Sequence, residues 1–257
     1  MLFRSDFFFC EFQLPTLTKK EVLEKIKKFI NKPRGFFHIV SLNPENIVVA
    51  LGNRTFKRVV ADASLRIIDG VGIVRAAQML HLKVGERYPG VDLMENLISL
   101  YGRMSLTVLF IGGKAKLADS LAKCYSRSYP EATFIGIQGI KKATKPTTHE
   151  EHEIERIVRT AKPHIVFVAF GSPLQELWLN RHKKLFNRCI VMGVGGGFDY
   201  ASGLVKRPNP LIRQLGLEWL TRLLIQPWRL PRQLRLIKFM YFVIKQKVHD
   251  TLEIPHS

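Results

Sequence analysis

LTVLFIGG (106–113), ATFIGIQG (132–139), PHIVFVAFGSP (163–173) and CIVMGVGGGFDY (189–200) are four apolar runs rich in β-branched and aromatic residues. Three amphipathic stretches separate them: residues 114–128, HEEHEIERIVRTAK (149–162) and QELWLNRHKKLF (175–186). Strand-like and helix-like patterns thus alternate as β-α-β-α-β-α-β. Parallel strands need a crossover connection, usually a helix, so this alternation predicts a parallel sheet covered by helices. The expected class is α/β, a Rossmann-like parallel sheet flanked by helices.

Upstream, the pattern continues less regularly. LTKKEVLEKIKKFI (17–30) reads as a helix, with Val22, Ile26, Phe29 and Ile30 on one face and Thr18 as N-cap. FFHIVSLN (36–43) reads as a strand. NIVVALGN (46–53) fits either a strand or a helix starting near Pro44, because proline is favoured in a first turn. SLRIIDGVGIVRAAQMLH (64–81) reads as a short strand, a turn and a helix. The apolar N-terminus, MLFRSDFFFCEF, is broken by Arg4, Asp6 and Glu11, and reads as an early strand rather than a signal peptide.

Downstream the character changes. Residues 206–247 carry ten Lys/Arg, a single acidic residue, Glu218, and four prolines. This predicts two parts: an α/β catalytic domain over 1–203 and a basic helical appendage over 204–257. In LRLIKFMYFVIKQKV (234–248), Leu234, Ile237, Tyr241, Ile244 and Val248 share one helical face. Arg235, Lys238 and Lys245 cluster on another, with Phe242 intruding between them. Such a helix suits a membrane interface; a core-packing helix with a solvated basic side is the alternative. No apolar run reaches the roughly 18 residues of a spanning helix.

The formal charge of +19 calls for a polyanionic partner: nucleic acid, anionic lipid or a phosphorylated substrate. No zinc knuckle or RNP-like aromatic motif supports nucleic acid. A non-enzymatic protein binding nucleic acid or an anionic membrane is the rival to an enzyme. Cys10, Cys124 and Cys189 are scattered, form no CxxC pair and suit a reducing compartment. HEEH at 149–152 lacks the spacing of a zinc helix.

Glycines end all four runs: FIGGK, GIQG, FGSP and GVGGGFD. Ligands of a parallel sheet bind outside the carboxyl ends of its strands, where glycine lets the backbone approach a phosphate. Tight turns alone would also use glycine. There is no P-loop, and Phe198 stands where a dinucleotide fingerprint would place its third glycine. Asp69, in IIDG, is placed to act as a general base, or to close an Asx turn or cap a helix. No DxD motif is present to hold a divalent ion, so arginines and backbone N–H groups would have to meet a leaving diphosphate.

The ordered series SLNPE, IIDGVGIV, RYPGVDL, LFIGG, FGSPLQE, GVGGGFDYASG, KRP and GLEWLTRLLIQPWR resembles the WecG/TagA/CpsF group (glycosyltransferase family 26) over about residues 15–235. The resemblance implies an inverting glycosyltransferase that needs no metal or other cofactor. It implies transfer of an N-acetylmannosamine-type sugar from a UDP donor to undecaprenyl-diphosphate-linked GlcNAc, in cell-surface polysaccharide or teichoic acid synthesis. Asp69 matches the family's base, with Asn43 as its catalytic neighbour and Ser41 shaping the pocket. Arg87 would lie near the donor diphosphate or the acceptor. Gln175, Gly195, Gly196, Gly197 and Asp199 would line the UDP site. Arg222, Arg229 and Arg232 match appendage arginines that meet the lipid diphosphate, a role suited to guanidinium. The resemblance further implies a peripheral protein on the inner, cytoplasmic face of the bacterial membrane. Three departures stand out: Ser41 replaces a common Thr, Leu174 a common Lys, and RPNP the usual RAP turn.

Overall fold

The computed structural model describes residues 8–10, 12–227 and 230–252. Six strands form one parallel sheet: β3 (Phe37–Leu42), β4 (Leu65–Ile68), β5 (Thr107–Gly112), β6 (Thr133–Ile137), β7 (Ile165–Ala169) and β8 (Ile190–Gly193). Their spatial order is β4-β3-β8-β7-β5-β6. The α/β reading holds. The chain leaves β3 toward β4 on one side, yet reaches β8 from β7 on the other. The carboxyl ends of β3 and β8 are neighbours near the middle of the sheet, and ligands of an open parallel sheet bind in the crevice outside its carboxyl ends.

Side chains alternate across the sheet and both faces are covered, as parallel sheets require. Val108 and Phe110 of β5 pack with Leu93 and Leu97 of α5 (Gly90–Tyr101) and Leu121 of α6 (Leu117–Ser128). Leu109 and Ile111 face the other way, onto Ile154 and Val158 of α7 (Thr148–Ala161) and Trp178 of α8 (Leu174–Arg181). Burying each such side chain contributes about 1.5–3 kcal/mol.

The predicted N-terminal helix is α1 (Lys19–Asn31). Thr18 and Glu21 close a reciprocal capping box, with Thr18 Oγ1 accepting from the Glu21 N–H at 3.2 Å. The open segment is helical: α2 (Pro44–Gly52) begins with proline, and Asn43 Oδ1 accepts from the Asn46 N–H at 2.9 Å. Its continuous apolar character follows from burial, not strand geometry: Ile47, Val48 and Ala50 lie in the core. Next come α3 (Arg54–Ala61) and α4 (Val71–Met79). The early strand is a small antiparallel hairpin, β1 (Phe8–Phe9) and β2 (Phe12–Gln13), separate from the main sheet. The last glycine-rich run stops being strand at Gly193 and becomes the short helix α9 (Gly197–Ala201).

After Gly203 the chain is helical: α10 (Pro210–Gln214), α11 (Glu218–Ile225) and α12 (Leu230–Leu252). Phe239 and Val243 of α12 are buried with residues of α2, α4, β3 and the hairpin. The Phe9 and Phe239 rings meet at 5.3 Å, and the Cys10 N–H donates to Gln246 Oε1 at 3.0 Å. The predicted apolar row behaves differently. Leu234, Ile237, Tyr241, Ile244 and Val248 are all exposed. Phe242 intrudes among the basic residues because it packs toward the core beside Phe239 and Val243. Among the described residues no helix is long and apolar enough to cross a membrane.

Candidate active site

Register brings the first residues together. Leu42 lies opposite Ile68, so the chain leaves β3 at Asn43 beside the point where it leaves β4 at Asp69. The Asp69 N–H donates to the Leu42 carbonyl at 2.9 Å. Asn43 is committed to capping α2, which holds it at the crevice. Ser41, one pleat back on β3, gives its carbonyl to Asn46 Nδ2 at 2.9 Å. Its hydroxyl lies under the first turn of α5: a Cβ on Gly90 would stand 3.0 Å from Ser41 Oγ. That close approach lets the Gly90 N–H donate to Asp69 Oδ1 at 3.3 Å.

Arg87 spans three elements. Its segment bridges alongside Ile68 at the end of β4. Nε donates to the Asp69 carbonyl at 2.8 Å, and Nη1 donates to the Arg213 carbonyl on α10 at 3.2 Å. Nη2 lies 3.8 Å from Glu218 Oε2 on α11.

The Asp69 carboxyl is pushed up to about 6. Burial is the main cause, with repulsion from Glu218 next; Arg87 and the Gly90 N–H oppose them, and Asp92 adds a smaller push upward. A carboxylate that ionises just below neutrality is suited to taking a proton from a hydroxyl at physiological pH.

The other wall is built from β7 and β8. Gln175 is buried, and its Oε1 accepts from the Gly171 and Gly195 N–H groups, each at 3.1 Å. Its Nε2 donates to Glu176 Oε1 at 2.8 Å. Gln175 thus braces two glycine loops against each other rather than pointing free into the crevice. Glu176 is buried beside it, and desolvation raises its carboxyl above the usual range, opposed first by the Gln175 bond.

Over the glycine loop lies Arg222 of α11. Its Nη2 donates to the Gly196 carbonyl at 3.1 Å and stands 3.5 Å from Asp199 Oδ2. The guanidinium also covers the Tyr200 ring at 4.5 Å. Any side chain at Gly196 would collide with it, so glycine there admits the arginine. Gly197 opens α9 and is buried, and Asp199 follows in the same turn.

Three of the expected arginines therefore have different fates. Arg222 reaches the crevice. Arg232 gives both Nε and Nη2 to Glu45 Oε2, at 2.9 and 2.7 Å, pinning α12 to the first turn of α2. Arg229 lies outside the described residues. Two residues not singled out from sequence also join the crevice: Glu218, and Arg207, which pairs with Asp92 of α5. The clue to Glu218 was visible, since it is the lone acid in a basic segment.

Among the described residues no group of three or more His, Cys, Asp or Glu is arranged to hold a metal ion. HEEH belongs to the first turn of α7, where Glu150 closes a capping box with Thr147 and Glu151 lies 3.6 Å from His182.

A model of the Glycosyl transferase WecG/TagA/CpsF family matches residues 8–252. Proteins of Staphylococcus aureus strains NCTC 8325 / PS 47, COL and MW2 are similar to this chain, each 28% identical over 231 residues. The matches cover 90% of this chain and 89% of each relative. All three relatives are named N-acetylglucosaminyldiphosphoundecaprenol N-acetyl-beta-D-mannosaminyltransferase.

Proposed function

We propose, from the premise that this chain belongs to the WecG/TagA/CpsF family of glycosyl transferases, that it moves an N-acetylmannosamine-type sugar from a UDP donor to GlcNAc on undecaprenyl diphosphate. The observation that carries this reading is Asp69, a buried carboxyl raised toward neutrality at the end of β4, with Leu42 of β3, Arg87, the Gly90 N–H and Glu218 of α11 acting on it. Asp69 takes the proton of an acceptor hydroxyl as that oxygen bonds to C1 of the donor sugar. The bond from C1 to the diphosphate oxygen breaks, and UDP leaves with its electron pair. Attack from the face opposite the leaving group inverts the anomeric centre.

Positioning and charge stabilisation carry most of the rest. The glycine loop braced by Gln175 lets backbone approach the diphosphate, with Ser41 and Asn43 on the opposite wall. Arg87 and Arg222 meet its charge without a metal ion, and Arg229 and Arg232 extend the same chemistry toward the lipid diphosphate. Arg232 would exchange Glu45 for phosphate to do so. The α/β part over 1–203 does the chemistry and the segment from 204 carries the lipid contact.

A membrane-bound acceptor explains the exposed apolar residues of α11 and α12. Leu224 is 76% exposed and Ile237 68%, and basic residues flank them. Apolar residues entering the interface and cations near anionic headgroups, about 1 kcal/mol each, hold such a surface on a leaflet. On this reading the enzyme works at the inner face of the bacterial membrane, in cell-envelope polymer synthesis.

The test is transfer from a panel of UDP-sugars to synthetic polyprenyl-diphosphate-GlcNAc. Asp69→Asn should lower turnover about 10²–10⁴-fold while UDP still binds. Wild-type turnover in Asp69→Asn would remove Asp69 as base.

A further inference from the structure

Glu218 is the single acid among ten basic residues between 206 and 247. It is the first residue of α11, and its carboxylate turns into the crevice, with the side chain only 22% exposed. There it stands 3.8 Å from Arg87 Nη2. The same guanidinium is fixed by the carbonyls of Asp69 and Arg213. Arg87 is thus the point where β4, α10 and α11 meet, and Glu218 is its only carboxylate ion-pair partner among the described residues.

Such an arrangement has an electrostatic consequence. Arg87 alone beside Asp69 would stabilise the ionised carboxylate and weaken it as a base. Glu218 offsets that charge and adds repulsion of its own. The groups acting on Asp69 are Arg87 before α5, the Gly90 N–H and Asp92 on α5, and Glu218 on α11. Glu218 in turn acts on Arg207, which precedes α10 and is paired with Asp92, and on Tyr200 of α9. Asp92 is therefore neutralised locally by Arg207. Glu218 pushes the Asp69 carboxyl upward, against the pull of Arg87.

We infer that Glu218 is a positioning residue for sugar transfer: acting through Arg87, it ties the helices after residue 204 to the end of β4 and maintains the basicity of Asp69. The inference rests on Asp69 being the base. It makes that basicity depend on α11 being seated, so the base is strongest when the C-terminal helices cover the crevice. A role limited to tethering α11 would not change how Asp69 titrates.

The experiment uses the full chain and reads the Asp69 carboxyl carbon by ¹³C NMR across pH, needing no substrate. Glu218→Gln should move the midpoint down by on the order of half to one pH unit, because a negative charge that disfavours ionisation is gone. Glu218→Asp keeps the charge and should stay near wild type. The acid limb of kcat/KM, measured in the UDP-sugar transfer assay, should shift with it, and the plateau should fall several-fold as the base weakens.

An unmoved midpoint in Glu218→Gln overturns the inference whatever the rates do. So does a moved midpoint that the acid limb fails to follow in an enzyme whose Asp69→Asn variant is inactive. Wild-type turnover in Asp69→Asn is a different result: it defeats the base assignment first, and the inference with it.

Discussion

Strand β5 and helix α12 are both rich in aliphatic and aromatic residues, yet they spend them differently. In β5 five of six residues are buried and none is left for another molecule. In α12 the apolar residues divide. Phe239 and Val243 enter the core, while Leu234, Ile237, Met240, Tyr241, Ile244 and Val248 remain exposed. Helix α11 has no buried residue at all. The body satisfies its own apolar surface. The C-terminal helices use a narrow line of contacts for attachment and leave a wide apolar face with basic flanks. A large exposed apolar surface marks an interaction site, and here the charge favours an anionic, apolar partner such as a leaflet.

The sharpest way to break this contrast is to empty one core position in each region. Phe110→Ala, in the centre of the sheet, should cost about 3–5 kcal/mol, comparable to much of a domain's stability. Phe239→Ala should cost less than that, about 2–3 kcal/mol, because α12 can shift over the hole. Denaturant unfolding compares them. Equal costs in one shared transition would show that α12 is as integral as β5.

A smaller effect comes from Asp69 itself. Its folded-state carboxyl lies at about 6, above the ordinary 3.8, so its ionisation opposes folding. The stability it leaves intact below about pH 4 is lost as pH rises through 6. Asp69→Asn removes that loss. The variant should match wild type near pH 4 and exceed it at pH 8 by about 2–3 kcal/mol, while losing turnover. A constant difference between the two pH values would contradict the assigned shift.

The smallest change in stability should fall on the exposed face. Leu224→Asp and Ile237→Asp should alter folding by no more than about 0.5 kcal/mol. Sedimentation with vesicles containing anionic lipid should nevertheless fall clearly, and further in the double variant. Unchanged sedimentation would show that this face does not meet the leaflet.

Much of the body was legible residue by residue. The Thr18 cap, the four glycine-ended strands and the helices between them all follow from spacing within a few positions. Where reading stopped short, a specific cause is visible. Residues 47–51 are apolar throughout because α2 is packed in the core with residues of β3 and α12, which erases the helical period. Glu218 stood out as a lone acid, but nothing within its own segment tells where the carboxylate points.

The sequence alone therefore determined the parallel α/β class, the sheet edge where glycines gather, and the apolar row along α12, though not that the row is exposed. These are consequences of period, capping and turn chemistry, which act between neighbours in the chain. Tertiary structure alone decided that Asn43 leaves β3 beside Asp69, that Arg87 reaches Arg213 at a separation of 126 positions, and that Glu218 acts on Asp69. It also decided that Arg232 pairs with Glu45 while Arg222 reaches Gly196. Strand register and helix docking set those pairings, and both are fixed by how buried faces fit together over the whole chain.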